Sequence, residues 1–127
     1  MRPGLDDKIL TGWNALMLKG YVDAYEALGN QTYLDRALKN ARFLLSEMKQ
    51  SDHRLDRNYK DGRSVINGFL DDYALTIDAF VALYQVTFDE QWLTEADQLC
   101  QYVLAHFQDS ENSLFNYTSD IDPPLIA

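Results

Sequence analysis

Cysteine occurs once in this chain, at Cys100, so no disulfide can form within it. That suits a reducing compartment, and the cytoplasm is the expected location. One cysteine and two separated histidines, His53 and His106, do not compose a zinc site. No metal or other cofactor is expected. Basic charge is also scarce: 11 lysines and arginines stand against 20 acidic residues, for a net charge of −9. Nucleic acid and anionic membrane surfaces both select a basic footprint, so neither is an expected partner. No apolar run is long enough to span a bilayer, and Met1-Arg2-Pro3-Gly4 opens no signal peptide. The hydrophobic share of 46% is too high for a disordered chain, and 127 residues suit one domain.

What is present is helical periodicity. Met1–Leu10 reads as a lead-in loop, with Thr11 as a plausible N-cap. A first helix runs from there to about Leu28, where Gly29-Asn30 ends it. Its apolar residues, among them Trp13, Leu16, Met17 and Val22, cover more than one stripe, which predicts a heavily buried helix. A second helix, Thr32 to Lys49, has one apolar stripe and one charged face, the pattern of a surface helix. Ser51–Asn67 is a long loop with a short β-hairpin signalled by Asp61-Gly62. A third helix, Asp71 to about Phe88, is apolar nearly all round yet begins with two carboxylates. A fourth, about Glu90 to Phe107, places Leu93, Ala96, Cys100, Val103, Leu104 and Phe107 on one face, with Cys100 expected in the core. The tail, Gln108–Ala127, holds one strand-like stretch at Leu114–Tyr117.

The chain repeats itself. A shift of 59 residues lays Thr11–Met48 on Leu70–Phe107 without a gap. Ala15 meets Ala74, Val22 meets Val81, Tyr25 meets Tyr84 and Leu34 meets Leu93, while Leu38 meets Asp97. Asp97 is therefore expected at the margin of the packed face, in reach of water or a partner. Each unit (about 11–69 and 70–127) is a buried helix, a tight turn, a surface helix and a long loop. Such hairpins stack or close into rings, and fewer than three are rarely self-sufficient. Because each hairpin returns the chain, the inner helices run the same way and share one rim. Asp71 and Asp72 fall on that rim with Thr11, Trp13 and Asn14. The loops bring Asp6, Asp7, Lys8, Arg57, Tyr59 and Arg63 to it.

Several of these residues carry a family resemblance. Leu5-Asp6-Asp7-Lys8-Ile9-Leu10-Thr11 with Trp13-Asn14 resembles a motif of the YyaL-type proteins, relatives of the spermatogenesis-associated thioredoxin-like proteins. So do Tyr59-Lys60-Asp61-Gly62, Leu70-Asp71-Asp72-Tyr73-Ala74 and Asp122-Pro123-Pro124-Leu125-Ile126. The resemblance implies a thioredoxin-like domain followed by an (α/α)6 toroid, similar to N-acylglucosamine 2-epimerases and six-hairpin glycosidases. This all-α chain would then be a fragment, two αα-hairpins out of six. The CxxC motif of thioredoxin is absent here, so no redox chemistry carries over.

The implied function is a carbohydrate-active or carbohydrate-binding toroid segment with an acidic rim, inactive alone. Asp6, Asp7, Asp71 and Asp72 are the candidate catalytic carboxylates, set against a plain capping role for Asp71-Asp72 and a solvated turn for Asp6-Asp7-Lys8. Trp13 and Tyr73 are candidates for stacking on a sugar, set against a core role. Lys8, Asn14, Arg57, Tyr59 and Arg63 are candidates for substrate binding. The rival reading is a non-catalytic scaffold that accompanies the thioredoxin-like domain. Two hairpins of six would also expose raw edges, with Tyr21, Val22, Tyr25, Phe80, Val81 and Tyr84 as candidates, so self-association is expected, a two-fold dimer ahead of a three-copy ring.

Overall fold

The computed structural model describes residues 9–60, 63–64, 68–109 and 114–115. Among them are four α-helices in two hairpins: α1 (Thr11–Leu28) with α2 (Gln31–Phe43), and α3 (Leu70–Thr87) with α4 (Glu90–His106). One turn of π-helix, Leu44–Met48, prolongs α2. Among the described residues no helix is long and apolar enough to cross a membrane.

The two tight turns obey the 59-residue shift in their physics. Gly29 closes α1 in the left-handed region at φ 69, and Phe88 closes α3 in the same way at φ 56. Each closing N–H reaches back to a tyrosine carbonyl, Tyr25 or Tyr84, at 2.8 and 2.7 Å. The next residue then caps the outer helix. Asn30 Oδ1 accepts from the Thr32 N–H at 2.9 Å, and Asp89 Oδ1 accepts from the Gln91 N–H at 3.1 Å. Glycine adopts this backbone freely and phenylalanine does not.

α1 and α3 pack side by side and run the same way. Their starts adjoin, since a methyl group at Gly12 would stand 3.1 Å from Asp72 Oδ1. Two turns further on, Lys19 Nζ and Asp78 Oδ2 pair at 3.1 Å. The inner-helix N-termini do share one rim. The core lies between the helix pairs. It holds Leu18 and Val22 of α1, Ala37 and Ala41 of α2, Tyr73, Phe80 and Leu83 of α3, and Trp92 and Leu99 of α4. In the outer layer, Lys49 donates to Glu95 and, at 3.0 Å, to Gln98, tying the end of the first hairpin to α4.

The long loop contains the expected hairpin, β2 (Asn58–Lys60) against β3 (Arg63–Ser64). A further strand, β1 (Ile9–Leu10), pairs antiparallel with β2, placing Ile9 opposite Tyr59. The lead-in segment thereby joins a three-stranded sheet at the rim. In the tail, β5 (Leu114–Phe115) pairs with β4 (Gln108–Asp109).

Several packing expectations are corrected. Thr11 is not the N-cap: Leu10 holds that position, and the Thr11 hydroxyl crosses instead to the Asp56 carbonyl at 2.5 Å. α1 is not buried all round, because Trp13, Leu16, Met17 and Leu28 are exposed. Of the face expected on α4, Ala96, Val103 and Phe107 are buried, but Leu93 and Leu104 are exposed, and the buried side is completed by Trp92, Leu99 and Tyr102. Cys100 is exposed with them and is not core. Val22 and Phe80, expected on raw edges, are buried between the hairpins. For Trp13, Leu93, Leu104 and Cys100 the apolar pattern is wider than two hairpins can cover. Asp97 is exposed, as its charge requires.

Phe88 is 76% exposed and meets Tyr84 only edge-on at 6.4 Å. Its left-handed backbone costs an L-residue about 1–2 kcal/mol, more than an exposed ring contact returns. Phe88→Gly is expected to stabilise the fold by about 0.5–1 kcal/mol, and Gly29→Ala to destabilise it. Urea unfolding of both variants checks the pair.

Candidate functional site

The rim is built around the start of α3. Asp72 sits in the first turn, and its carboxylate turns back to accept from the Phe69 N–H at 2.9 Å, which closes the helix end. The same oxygen accepts from Arg57 Nη1 at 2.9 Å. The Arg57 guanidinium lies 4.5 Å above the Phe69 ring. The Gly12 N–H, at the start of α1, also bonds the carboxylate. Asp72 is thus buried and fully engaged, and its own carbonyl accepts the Thr76 hydroxyl at 2.7 Å.

The loop segment Leu55–Arg57 is clasped between the two helix starts. The Arg57 carbonyl accepts from the Thr11 N–H at 2.8 Å, and the Leu55 carbonyl accepts from the Gly68 N–H at 2.7 Å. The Leu55 N–H donates to the Tyr73 hydroxyl at 2.9 Å. Buried Asp56 holds Gln50 Nε2 at 2.9 Å and Arg54 Nε at 3.2 Å.

Asp71 diverges from its neighbour. It is exposed, and among the described residues it makes no hydrogen bond or ion pair. It lines a cleft of about 210 Å³ with Trp13, Leu16, Leu75 and Arg57. Trp13 is 68% exposed there. The lining is therefore partly apolar, from Trp13, Leu16 and Leu75, and partly charged, from Asp71 and the Arg57–Asp72 pair.

The other sequence candidates divide. Tyr73 does not reach the cleft. It is core, stacked on Tyr102 at 5.4 Å and edge-on to Phe107 at 5.1 Å. Burial pushes its hydroxyl pKa up, so it stays a neutral acceptor for Leu55. Asn14 turns back along α1, its Nδ2 donating to the Leu10 carbonyl at 3.3 Å. Asp6, Asp7 and Lys8 lie outside the described residues, as do the side chains of Tyr59 and Arg63. The backbones of Tyr59 and Arg63 stand in the rim sheet. Sequence reasoning missed Leu16 and Leu75 as cleft walls, although they are one repeat pair. It also missed Asp56, whose burial no local pattern announces.

Comparison with known proteins places this architecture. Residues 11–122 match the model of glycosyl hydrolase family 76. The chain belongs to that family. This family 76 chain is 31% identical over 123 residues to human Spermatogenesis-associated protein 20, covering 90% of the chain and 15% of that protein. It is 31% identical over 127 residues to an uncharacterised Caenorhabditis elegans protein, covering 94% and 17%. The chain thus spans under a fifth of the length of these relatives. Among solved structures, the cellobiose 2-epimerase from Spirochaeta thermophila superposes with a TM-score of 0.83 at 19% identity, over 97% of this chain and 32% of that one. A GH76 alpha-mannanase from Bacteroides thetaiotaomicron superposes with a TM-score of 0.79 at 22% identity, over 88% and 32%. The fold is that of (α/α)6 toroid enzymes, and this family 76 chain supplies about a third of one.

The two adjacent acids should separate on mutation. Asp72→Ala leaves Arg57 and two backbone donors without their acceptor and is expected to cost about 3–5 kcal/mol, toward the low end because Arg57 reaches water. Asp71→Ala should cost only its helix-end interaction, about 0.3–1 kcal/mol. Denaturant unfolding of the two variants distinguishes them.

Burial pushes the Asp72 carboxyl above its usual range, against the opposing pull of the Phe69 N–H, Arg57 and the Gly12 N–H. The folded chain then binds this proton more tightly than the unfolded chain. The resulting stability is full below the ordinary carboxylate pKa and is lost as pH rises through the folded value. The wild-type stability relative to Asp72→Asn is expected to fall across that window and level above it, as read by urea titration at a series of pH values.

Proposed function

We propose that this chain forms one wall of a carbohydrate-binding cleft in a family 76 toroid, with Asp71 as the carboxylate offered to the sugar and Trp13 as the surface on which a sugar ring stacks. One observation carries the reading: of the two adjacent acids, Asp72 is consumed in holding the rim together, and Asp71 is left exposed in a cleft that an exposed tryptophan also lines. Arg57, fixed by Asp72, positions the lip and offers donors to sugar hydroxyls. Glycoside hydrolysis uses two carboxyl groups flanking the scissile bond. Asp72 also lines the cleft but is bound to Arg57 and the Phe69 N–H, so among the described side chains Asp71 is the carboxylate left open there, and the chain by itself grips a sugar without turning it over. Asp6 and Asp7 come just before β1 in the sequence and are the further carboxylates this reading would draw on.

The scaffold reading draws on the engagement of Asp72, which is what a purely structural acid would show. It has no use for an exposed Trp13 beside a free carboxylate, and the cleft favours the sugar reading.

Trp13 is exposed and Trp92 buried, so tryptophan emission reports the cleft selectively. Short α-mannan oligosaccharides, chosen because a structural neighbour is an alpha-mannanase, are expected to shift the Trp13 emission at millimolar concentration. Asp71→Asn should weaken that binding roughly tenfold, about 1.4 kcal/mol, without loss of helix. No hydrolysis should accompany binding. An unchanged emission across mannan, glucan and cellobiose panels would remove the sugar reading, and robust turnover by the chain alone would show that one third of the ring suffices.

A further inference from the structure

The two histidines of the chain, His53 and His106, line one pocket of about 380 Å³ together with Asp52, Gln98, Gln101 and Tyr102. The pocket lies between the turn that follows the first hairpin and the last turns of α4. It owes nothing to the exposed apolar flank of α4. At helical spacing Gln98, Gln101, Tyr102 and Ala105 share one face of that helix, while Leu93, Asp97, Cys100 and Leu104 share the opposite one.

The turn presents His53 without needing it. The Gln50 N–H donates to the Arg54 carbonyl at 2.7 Å, and the His53 N–H donates to the Gln50 carbonyl at 3.0 Å. Asp52 Oδ1 accepts from the Arg54 N–H at 3.1 Å. None of these bonds uses the imidazole. His53 holds the left-handed position of the turn, at φ 72, which glycine would take without strain. Among the described residues its ring makes no hydrogen bond or ion pair, and Nδ1 is buried without a partner. A polar ring kept in left-handed backbone, with no partner inside the chain, points to a partner outside it.

The rest of the lining narrows the ligand. Much of it is carbon surface, from Ala105 and from Tyr102, whose ring packs against His106 with centroids 4.3 Å apart. Gln98 Oε1 accepts from Lys49 at 3.0 Å, which leaves its Nε2 to donate. Gln101 is exposed with its amide open. An anion would meet the Asp52 carboxylate and no lysine or arginine. A wholly apolar ligand would bury the imidazole and the amides unpaired. Among the described residues no three His, Cys, Asp or Glu side chains gather to hold a metal ion. What fits is a neutral ligand with an apolar face and hydroxyls at its edge.

We propose that this pocket is a second carbohydrate site, taking a neutral sugar whose C–H face lies on the carbon surface and whose hydroxyls meet His53, Gln98 and Gln101. It shares no lining residue with the cleft of Trp13 and Asp71, and it stands whether or not that cleft binds sugar.

Because the chain has no other histidine, the carbon-bound imidazole protons seen by NMR report this pocket alone. Titration with cellobiose or mannobiose is expected to shift both imidazole sets with one dissociation constant, on the order of millimolar. Asp71→Asn, which weakens the cleft, should leave these shifts unchanged. His53→Gly keeps the turn and should weaken binding about tenfold, as read at His106. Gln101→Ala, at an exposed position, should weaken it as well. Phosphate and zinc ions are the controls. The proposal is overturned by silence of both histidines toward the two disaccharides, by a response to phosphate or zinc alone, or by a shift confined to one histidine. Disaccharide shifts that survive both His53→Gly and Gln101→Ala, or that vanish in Asp71→Asn, overturn it too.

Discussion

The Asp72 carboxylate is the point on which the rim depends. It caps the start of α3, anchors Arg57 and meets the first turn of α1. These groups come from three separate parts of the chain, and no apolar contact could impose the same mutual orientation. A buried carboxylate persists only when its lone pairs are satisfied, and here the donors are supplied by two backbone N–H groups and a guanidinium. The position of the long loop follows. Leu55–Arg57 is pulled between the two helix starts, and the rim sheet begins immediately after it.

That constraint also divides labour between adjacent acids. One turn of helix separates side chains by about 100° per residue, so two consecutive carboxylates cannot both enter the same clasp. Asp72 is inside it and Asp71 is outside. The cleft is thus a by-product of a structural device: the residue that builds the rim delivers its neighbour to solvent next to Trp13. The same rotation accounts for Tyr73, one position further on, which enters the core and reaches Leu55. A sequence motif of consecutive polar and aromatic residues therefore resolves into one cleft group, one clasp and one core anchor.

The exposed surface follows from the repeat. Each unit is written as though neighbours flank it on both sides, and the chain contains one junction between units. Val22, buried in that junction, and Val81, its half-buried equivalent on the open side, differ in environment though not in kind. The surplus apolar positions, Met17, Leu93 and Cys100 among them, are the residue of an architecture larger than two hairpins. The family assignment and the toroid superpositions give that larger architecture its form.

The sequence by itself determined the four helices, their turns, the inner and outer layers and the shared rim, because helical periodicity, left-handed caps and a gapless repeat are local or additive signals. The turn from Asn30 or Asp89 into each outer helix is legible for the same reason. Only the tertiary structure decided which side of a broadly apolar helix is covered. Cys100 and Phe80 look alike to a periodicity argument, and the count of neighbouring hairpins separates them. It likewise decided that Asp72 is the clasp and Asp71 the open group, since that depends on Arg57 and Gly12 arriving from distant parts of the chain. A carboxylate's role is set by the donors around it, and those donors are brought together by folding rather than by spacing.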